Sequence, residues 1–402
     1  MDILDAIGNT SLVRLRRVVP SGGAAILAKL EWENPSGSMK DRMARAVITR
    51  AEADGRLKAG DTIVEYTGGS TGVSLALVCA ARGFRVQIVT SDAFSRDKRD
   101  QMAAYGAELT LVPSEGGLTT RKLILDMIEA ARVLSREPHM YWTDQLNNHD
   151  SIAGYFGLGE EIWSETGGRV DAFVQTVGTA ASSRGVATIL KRHHPGVRIV
   201  VVEPAESPVL AGGQPGPHKI EGVGIGFMPP LWDPTLADEI IAVRTEDAKE
   251  MARRITREEG LFAGTSSGAN VIAGGSSRVP PRSRRERGHA DGRLGAQVSQ
   301  HGRVREPARP LVGSRDACNP PEGATVLASG PSAPGAPGGA PSPICSPGRA
   351  ATSRRPCHWR AERSPLPLRA PPRARAVPGP APSGTRPARS AGRSPRRAAR
   401  GS

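Results

Sequence analysis

Along residues 24 to 273 short apolar runs alternate with stretches of helical spacing, and beyond that point the alternation stops. The apolar runs predict strands over residues 24–32, 62–66, 85–91, 108–112, 140–143, 172–177, 198–203 and 240–243. Between them the spacing predicts helices over 39–53, 71–82, 96–105, 118–135, 151–164, 182–193 and 246–258, several of them stopped by a glycine such as Gly55, Gly83 or Gly106. Strands and helices that alternate at this interval imply an α/β protein with parallel, doubly wound sheets. A long glycine-rich loop, residues 204–230, interrupts the second run. The Tyr155, Leu158, Ile162 stripe reads as core packing.

Three strand-to-helix turns carry serine, threonine and glycine: Thr67-Gly68-Gly69-Ser70-Thr71-Gly72, Gly178-Thr179-Ala180-Ala181-Ser182, and residues 260–269. Backbone N–H groups at such a turn converge on negative charge, and the hydroxyls add donors. The second turn is shaped to hold a dianion such as a phosphate. Ligands of open parallel sheets bind at the strand ends, so three such turns suggest one shared ligand. A fourth turn, residues 34–42 (NPSGSMKDR), places Lys40 in a first helical turn with Ser38 as the candidate N-cap. The helix dipole opposes a cation there and favours the neutral amine, which can form a Schiff base with an aldehyde. Taken alone, a lysine after a turn is ordinarily a solvated surface residue.

The formal net charge of +14 belongs to one end of the chain. Residues 276–402 hold 24 Arg, no Lys and 6 acidic residues, whereas residues 1–275 hold 30 basic and 34 acidic groups. The same tail contains 22 of the 34 prolines, three of the four cysteines (Cys318, Cys345 and Cys357) and no sustained apolar period. Such a composition predicts a disordered tail, 276–402. Counterion release would let an Arg-rich tail bind nucleic acid or an acidic membrane surface. The abrupt change inside a helical pattern is better accounted for by a shifted reading frame in a GC-rich gene, so neither partner is expected. Cys79 is the only cysteine before the tail, which excludes a disulfide framework there, and the tail cysteines lack zinc-like spacing, so no metal is expected. The N-terminus has acidic residues where a signal peptide needs basic ones, and no run of 18 apolar residues occurs, so a cytoplasmic protein is expected.

In combination, these stretches carry a resemblance: IGNTSLVRL at 7–15, NPSGSMKDR at 34–42, TGGSTG at 67–72, GEEIW at 159–163, VGTAAS at 177–182, VEP at 202–204, GPHKIEGVGIGFMP at 216–229 and EGLFAGTSSGA at 259–269. In this order they resemble the cysteine synthase and cystathionine β-synthase family of fold type II pyridoxal-phosphate enzymes. The resemblance implies two doubly wound parallel-sheet domains: residues 1–35 begin the large domain, 36–145 form a small domain that closes on substrate, and 146–275 complete the large one. It implies that Lys40 bonds the cofactor and later serves as the base at Cα. Gly178, Thr179, Ala180, Ala181 and Ser182 match the phosphate cradle, with the last three standing where glycine, glycine and threonine are usual. Ser266 matches the residue bonded to the pyridine nitrogen. Thr67, Gly68, Ser70, Thr71 and Gln145 match the positions that receive the substrate carboxylate, and Ser70 replaces the usual asparagine at the cofactor's 3-hydroxyl. The implied reaction is β-replacement, an O-activated serine such as O-acetylserine plus sulfide giving cysteine. Alternatives are cystathionine synthesis with homocysteine, or a truncated protein without turnover. A homodimer is implied as well. The family also continues after residue 273 with another sheet strand, which the tail is not expected to supply.

Overall fold

The computed structural model describes residues 1–19 and 24–277, together with the backbone of 296–297 and 324–328. Two sheets organise these residues. The larger is built from β1 (Leu12–Arg14), β2 (Ala25–Lys29), β7 (Ala172–Thr176), β8 (Arg198–Pro204), β9 (Glu239–Val243), β10 (Ala296–Gln297) and β11 (Ala324–Ala328), in the order β1-β2-β11-β7-β8-β9, with β10 also pairing β2. The smaller contains β3 (Thr62–Tyr66), β4 (Arg85–Ser91), β5 (Glu108–Val112) and β6 (Met140–Trp142), in the order β5-β4-β3-β6. Every pairing is parallel except that of β1 with β2, so the doubly wound α/β expectation holds.

Both sheets are covered on both faces, which is why their strands read as continuous apolar runs. In the larger sheet Val174, Val200 and Val202 pack with α9 (Thr265–Ser276) through Ala269 and Val271. Their neighbours Phe173, Ile199 and Val201 face the opposite way, onto α7 (Ala181–His193) and α6 (Phe156–Glu165). The period-2 alternation thus divides one strand between two cores. In the smaller sheet Ile63 and Ile88 meet α1 (Lys40–Ala53), α2 (Ser70–Arg82) and α3 (Arg96–Ala104), while Val64 and Val89 meet α4 (Arg121–Leu134).

Three elements differ from expectation. The helix expected over 151–164 is two, α5 (Asp150–Ala153) and α6, broken at Gly154 and Tyr155. Gly154 lies so close to α1 that a Cβ would stand 2.8 Å from Met43 Cα, and the break lets Tyr155 bury fully beside Leu158 and Ile162. The expected helix 246–258 is α8 (Thr245–Arg254) followed by a π-helical turn, Ile255–Glu259, before Gly260 turns the chain at φ 73°. The tail does supply a strand: β11 fills the slot between β2 and β7, with Val326 opposite Leu27 and Phe173. This corrects the expectation of an empty slot. The expectations of disorder and of a shifted frame otherwise fall outside the described residues.

Candidate active site

Lys40 opens α1 directly beyond the end of β2. The chain leaves β2 through the 3-10 turn Glu31–Glu33, reverses at Gly37 with φ 78°, and enters the helix. The N-cap position falls on Met39, with no side-chain capping bond, rather than on the expected Ser38, whose Oγ accepts the Lys40 N–H at 3.2 Å from the turn before it. Both following side chains are fixed. Asp41 accepts the Ser36 N–H at 2.8 Å and the Ser36 hydroxyl, which lies 3.1 Å from Ser74 Oγ on α2. Arg42 forks onto Glu31 at 2.7 Å and onto Glu161 at 2.6 and 2.8 Å. Lys29 reaches Glu161 and Glu165 at 2.9 and 2.7 Å, which closes a buried ionic network behind the turn. Lys40 itself is half-buried, and no hydrogen bond or ion pair engages its ammonium among the described residues. Burial lowers it from 10.5 to about 8. Desolvation, rather than the helix dipole invoked from sequence, is the main cause.

The turn after β3 is held from below. Gly69 N–H bonds Thr67 Oγ1 at 3.0 Å, and Thr71 donates its hydroxyl to Gln145 Oε1 at 2.8 Å. Gln145 Nε2 bonds Tyr66 O at 2.7 Å, so both polar atoms of this amide are committed to the turn. Beneath them lies Glu65, fully buried, accepting from Tyr66 N–H (2.9 Å), Gln145 N–H (2.9 Å) and Thr143 Oγ1 (2.6 Å). Burial pushes its carboxyl up to about 7, against the pull of those three donors. Phe94 covers Gly68, where a Cβ would stand 2.7 Å from the ring. Ser70 begins α2, half-buried.

The turn after β7 forms a close-fitting concavity. Ala180 has φ 68°, a left-handed conformation, and caps α7 by accepting Arg184 N–H at 3.0 Å. Loop 216–229 passes directly above: a Cβ on Gly178 would lie 2.5 Å from Gly222 O, and Gly224 N–H bonds Val177 O at 3.1 Å. Ser182 Oγ accepts Gln175 Nε2 at 2.6 Å, which leaves its own hydrogen available to an anion. Thr179 is half-buried between them.

These turns meet through particular contacts. Gln175 Nε2, which holds Ser182, also lies 3.9 Å from the sulfur of Met39, next to Lys40. Glu221 N–H bonds Thr265 Oγ1 at 3.2 Å, tying the loop above Gly178 to the start of α9, where Ser266 is buried. Ser36, bonded to Asp41 and 3.1 Å from Ser74 Oγ, joins the Lys40 turn to the helix that Ser70 begins. Sequence reasoning missed Gln175 and Glu65. Glu65 had left a signal, a carboxylate inside an otherwise apolar strand, whereas Gln175 had left none.

The protein-family model described as pyridoxal-phosphate dependent enzyme matches residues 3–286. The chain belongs to that family. A cysteine synthase of Staphylococcus aureus is 42% identical to it over 275 residues, 68% of this chain and 86% of the relative. Among solved structures, a cysteine synthase of Entamoeba histolytica superposes with a TM-score of 0.63 at 38% identity, covering 68% of this chain and 81% of that one. An O-acetylserine dependent cystathionine β-synthase of Helicobacter pylori gives a TM-score of 0.63 at 34% identity, over 68% and 88% of the two chains. The protein is a pyridoxal-phosphate-dependent enzyme of the cysteine synthase type, and its residues fit that cofactor. The Lys40 amine, lowered by burial, has no partner among the described residues and so could take an aldehyde, and the turn after β7, too narrow for a Cβ at Gly178, keeps the Ser182 hydroxyl hydrogen for an acceptor such as a phosphate oxygen.

Proposed function

We propose that this enzyme joins an O-activated serine, O-acetylserine first, with sulfide to give cysteine. The observation that carries the reading is a depressed lysine amine, without a partner among the described residues, at the same sheet edge as the Gly178 turn. Lys40 would hold the cofactor's aldehyde carbon, residues 178–182 its phosphate and Ser266 its ring nitrogen, with Ser70 near its hydroxyl. Pyridoxal phosphate, when bound, supplies the electron sink that acidifies the substrate Cα–H. The donors of Thr67, Gly68, Ser70 and Thr71, braced by Gln145, receive the substrate carboxylate and orient Cα. Lys40 as a neutral amine takes the Cα proton, and the acetate leaves from Cβ. Sulfide then adds at Cβ, and Lys40 returns its proton to Cα.

Residues 36–145, which contain the smaller sheet, act as the domain that closes on substrate and excludes water, in a cytoplasmic homodimer. No helix among the described residues is long and apolar enough to cross a membrane, which accords with a small amino-acid substrate in water. The Helicobacter pylori relative supports a second reading with homocysteine as the nucleophile. Purified holoenzyme given O-acetylserine should form cysteine with sulfide faster than cystathionine with homocysteine, and Lys40→Ala should form neither. Preference for homocysteine transfers the assignment to cystathionine synthesis. Absence of both products, with cofactor bound, leaves the third alternative of a protein without turnover.

A further inference from the structure

Lys98 lies on α3, one turn after Phe94, and its side chain lies along the backbone of Gly69. A Cβ built on Gly69 would stand 3.4 Å from Lys98 Cγ and 3.9 Å from Cδ. Lys98 is 5% exposed, yet among the described residues its ammonium has neither a hydrogen bond nor an ion pair. A long cationic side chain that can reach water normally does so. One kept inside without a partner marks a place where an anion is expected.

Charge acts on the Lys98 ammonium from beyond its own helix. The carboxylates whose charge reaches it are Glu221, Asp41 and Asp97. Asp97 is its chain neighbour, Asp41 follows Lys40, and Glu221 belongs to the loop above Gly178. None bonds it. The side chain thus passes the Gly69 turn, and its charge lies within electrostatic reach of the Lys40 turn and of that loop, the elements around the proposed substrate.

The donors assigned to the substrate carboxylate share a deficiency. Thr67, Gly68, Ser70 and Thr71, braced by Gln145, offer hydroxyls, backbone amides and a helix N-terminus, all formally neutral. A carboxylate moved from water into that turn meets dipoles alone, and a cation adjacent to it offsets much of the desolvation. We infer that Lys98 is the cationic member of the substrate subsite, binding the α-carboxylate of the amino-acid substrate across the Gly69 turn. Burial lowers the free ammonium, and the arriving carboxylate restores its charged form. The inference rests on the proposed amino-acid substrate and deepens that reading.

The test uses holoenzyme and two readouts. Steady-state kinetics compare wild type with Lys98→Met, Lys98→Arg and Glu221→Gln. Lys98→Met should raise KM for O-acetylserine at least about tenfold while KM for sulfide stays within about twofold. Lys98→Arg should recover most of the loss, and Glu221→Gln should leave KM within about twofold. Independently of turnover, cofactor absorbance is titrated with L-serine and with L-serinamide, which lacks the carboxylate charge. Wild type should prefer L-serine, and Lys98→Met should lose that preference while retaining cofactor. An unchanged KM, an unchanged preference, or a Glu221→Gln variant that reproduces Lys98→Met would overturn the assignment; the last outcome would make Lys98 a latch to loop 216–229. If O-acetylserine is not turned over at all, the proposed reaction fails, while the titration still decides the role of Lys98.

Discussion

The Thr71 hydroxyl donates to the Gln145 amide oxygen at 2.8 Å, and the nitrogen of the same amide bonds Tyr66 O at 2.7 Å. Gln145, expected from the resemblance to receive substrate, has both side-chain polar atoms occupied in bracing the turn that would receive it. Thr71→Val would leave the buried Oε1 without a donor, at about 1–3 kcal/mol. The expected outcome is a KM for O-acetylserine raised about tenfold or more, with the cofactor spectrum intact. Equal KM values in variant and wild type would place the carboxylate elsewhere.

Lys40 titrates near 8 because burial disfavours its ammonium. Below that pH the amine is protonated and not nucleophilic; above it the neutral form dominates. Apoenzyme should therefore take up pyridoxal phosphate faster as pH rises through about 8, followed by absorbance. Borohydride reduction should fix the cofactor to the Lys40 peptide and to no peptide in Lys40→Ala.

Ala180 occupies a left-handed conformation, φ 68°, at a position only 2% exposed. Glycine there relieves about 1 kcal/mol of backbone strain but removes a buried methyl of about 0.8 kcal/mol. The two effects nearly cancel, so Ala180→Gly should leave stability and cofactor affinity close to wild type. Ala180→Val adds a β-branched side chain to the same conformation, and thermal denaturation should show a clear loss with weakened cofactor binding.

Arg42 is the cation shared by Glu31, fully buried, and Glu161. Arg42→Met leaves Glu31 buried without a cation, which costs about 3–5 kcal/mol. Urea denaturation should show that loss at pH 7. Burial alone would raise the Glu161 carboxyl, but its bonds and charge attraction to Arg42 outweigh this and hold it at about 2. Its folded-state value is thus depressed below 4.5, so its contribution is fully present above pH 4.5 and is lost as pH falls through about 2. The difference between variant and wild type should accordingly narrow at pH 3.

Val326 sits in β11 between two parallel neighbours, Leu27 of β2 and Phe173 of β7. Val326→Pro removes a backbone donor from an interior strand, where proline does not fit. The expected result is a lower Tm and aggregation of the full chain, read by light scattering. A variant as stable and soluble as wild type would show that the slot does not depend on this segment.

The sequence by itself determined the order of elements and the family's reaction type, and it marked the candidate places of chemistry. Its apolar runs located the strands because parallel sheets covered on both faces require continuous burial, and its glycine- and serine-bearing turns marked the candidate anion sites because such residues let backbone donors converge. Local signals could go no further, since they do not report what lies across space. The break at Gly154 depends on the backbone of α1 packing against it. Glu65 beneath Gln145, and Gln175 beside Met39, are contacts between segments distant in the chain. The tail's composition concealed β11, whose place is set by the two strands that lacked a neighbour. Tertiary structure also decided the state of Lys40: the sequence placed it in a first helical turn, but the burial that lowers its amine came from the packing around it.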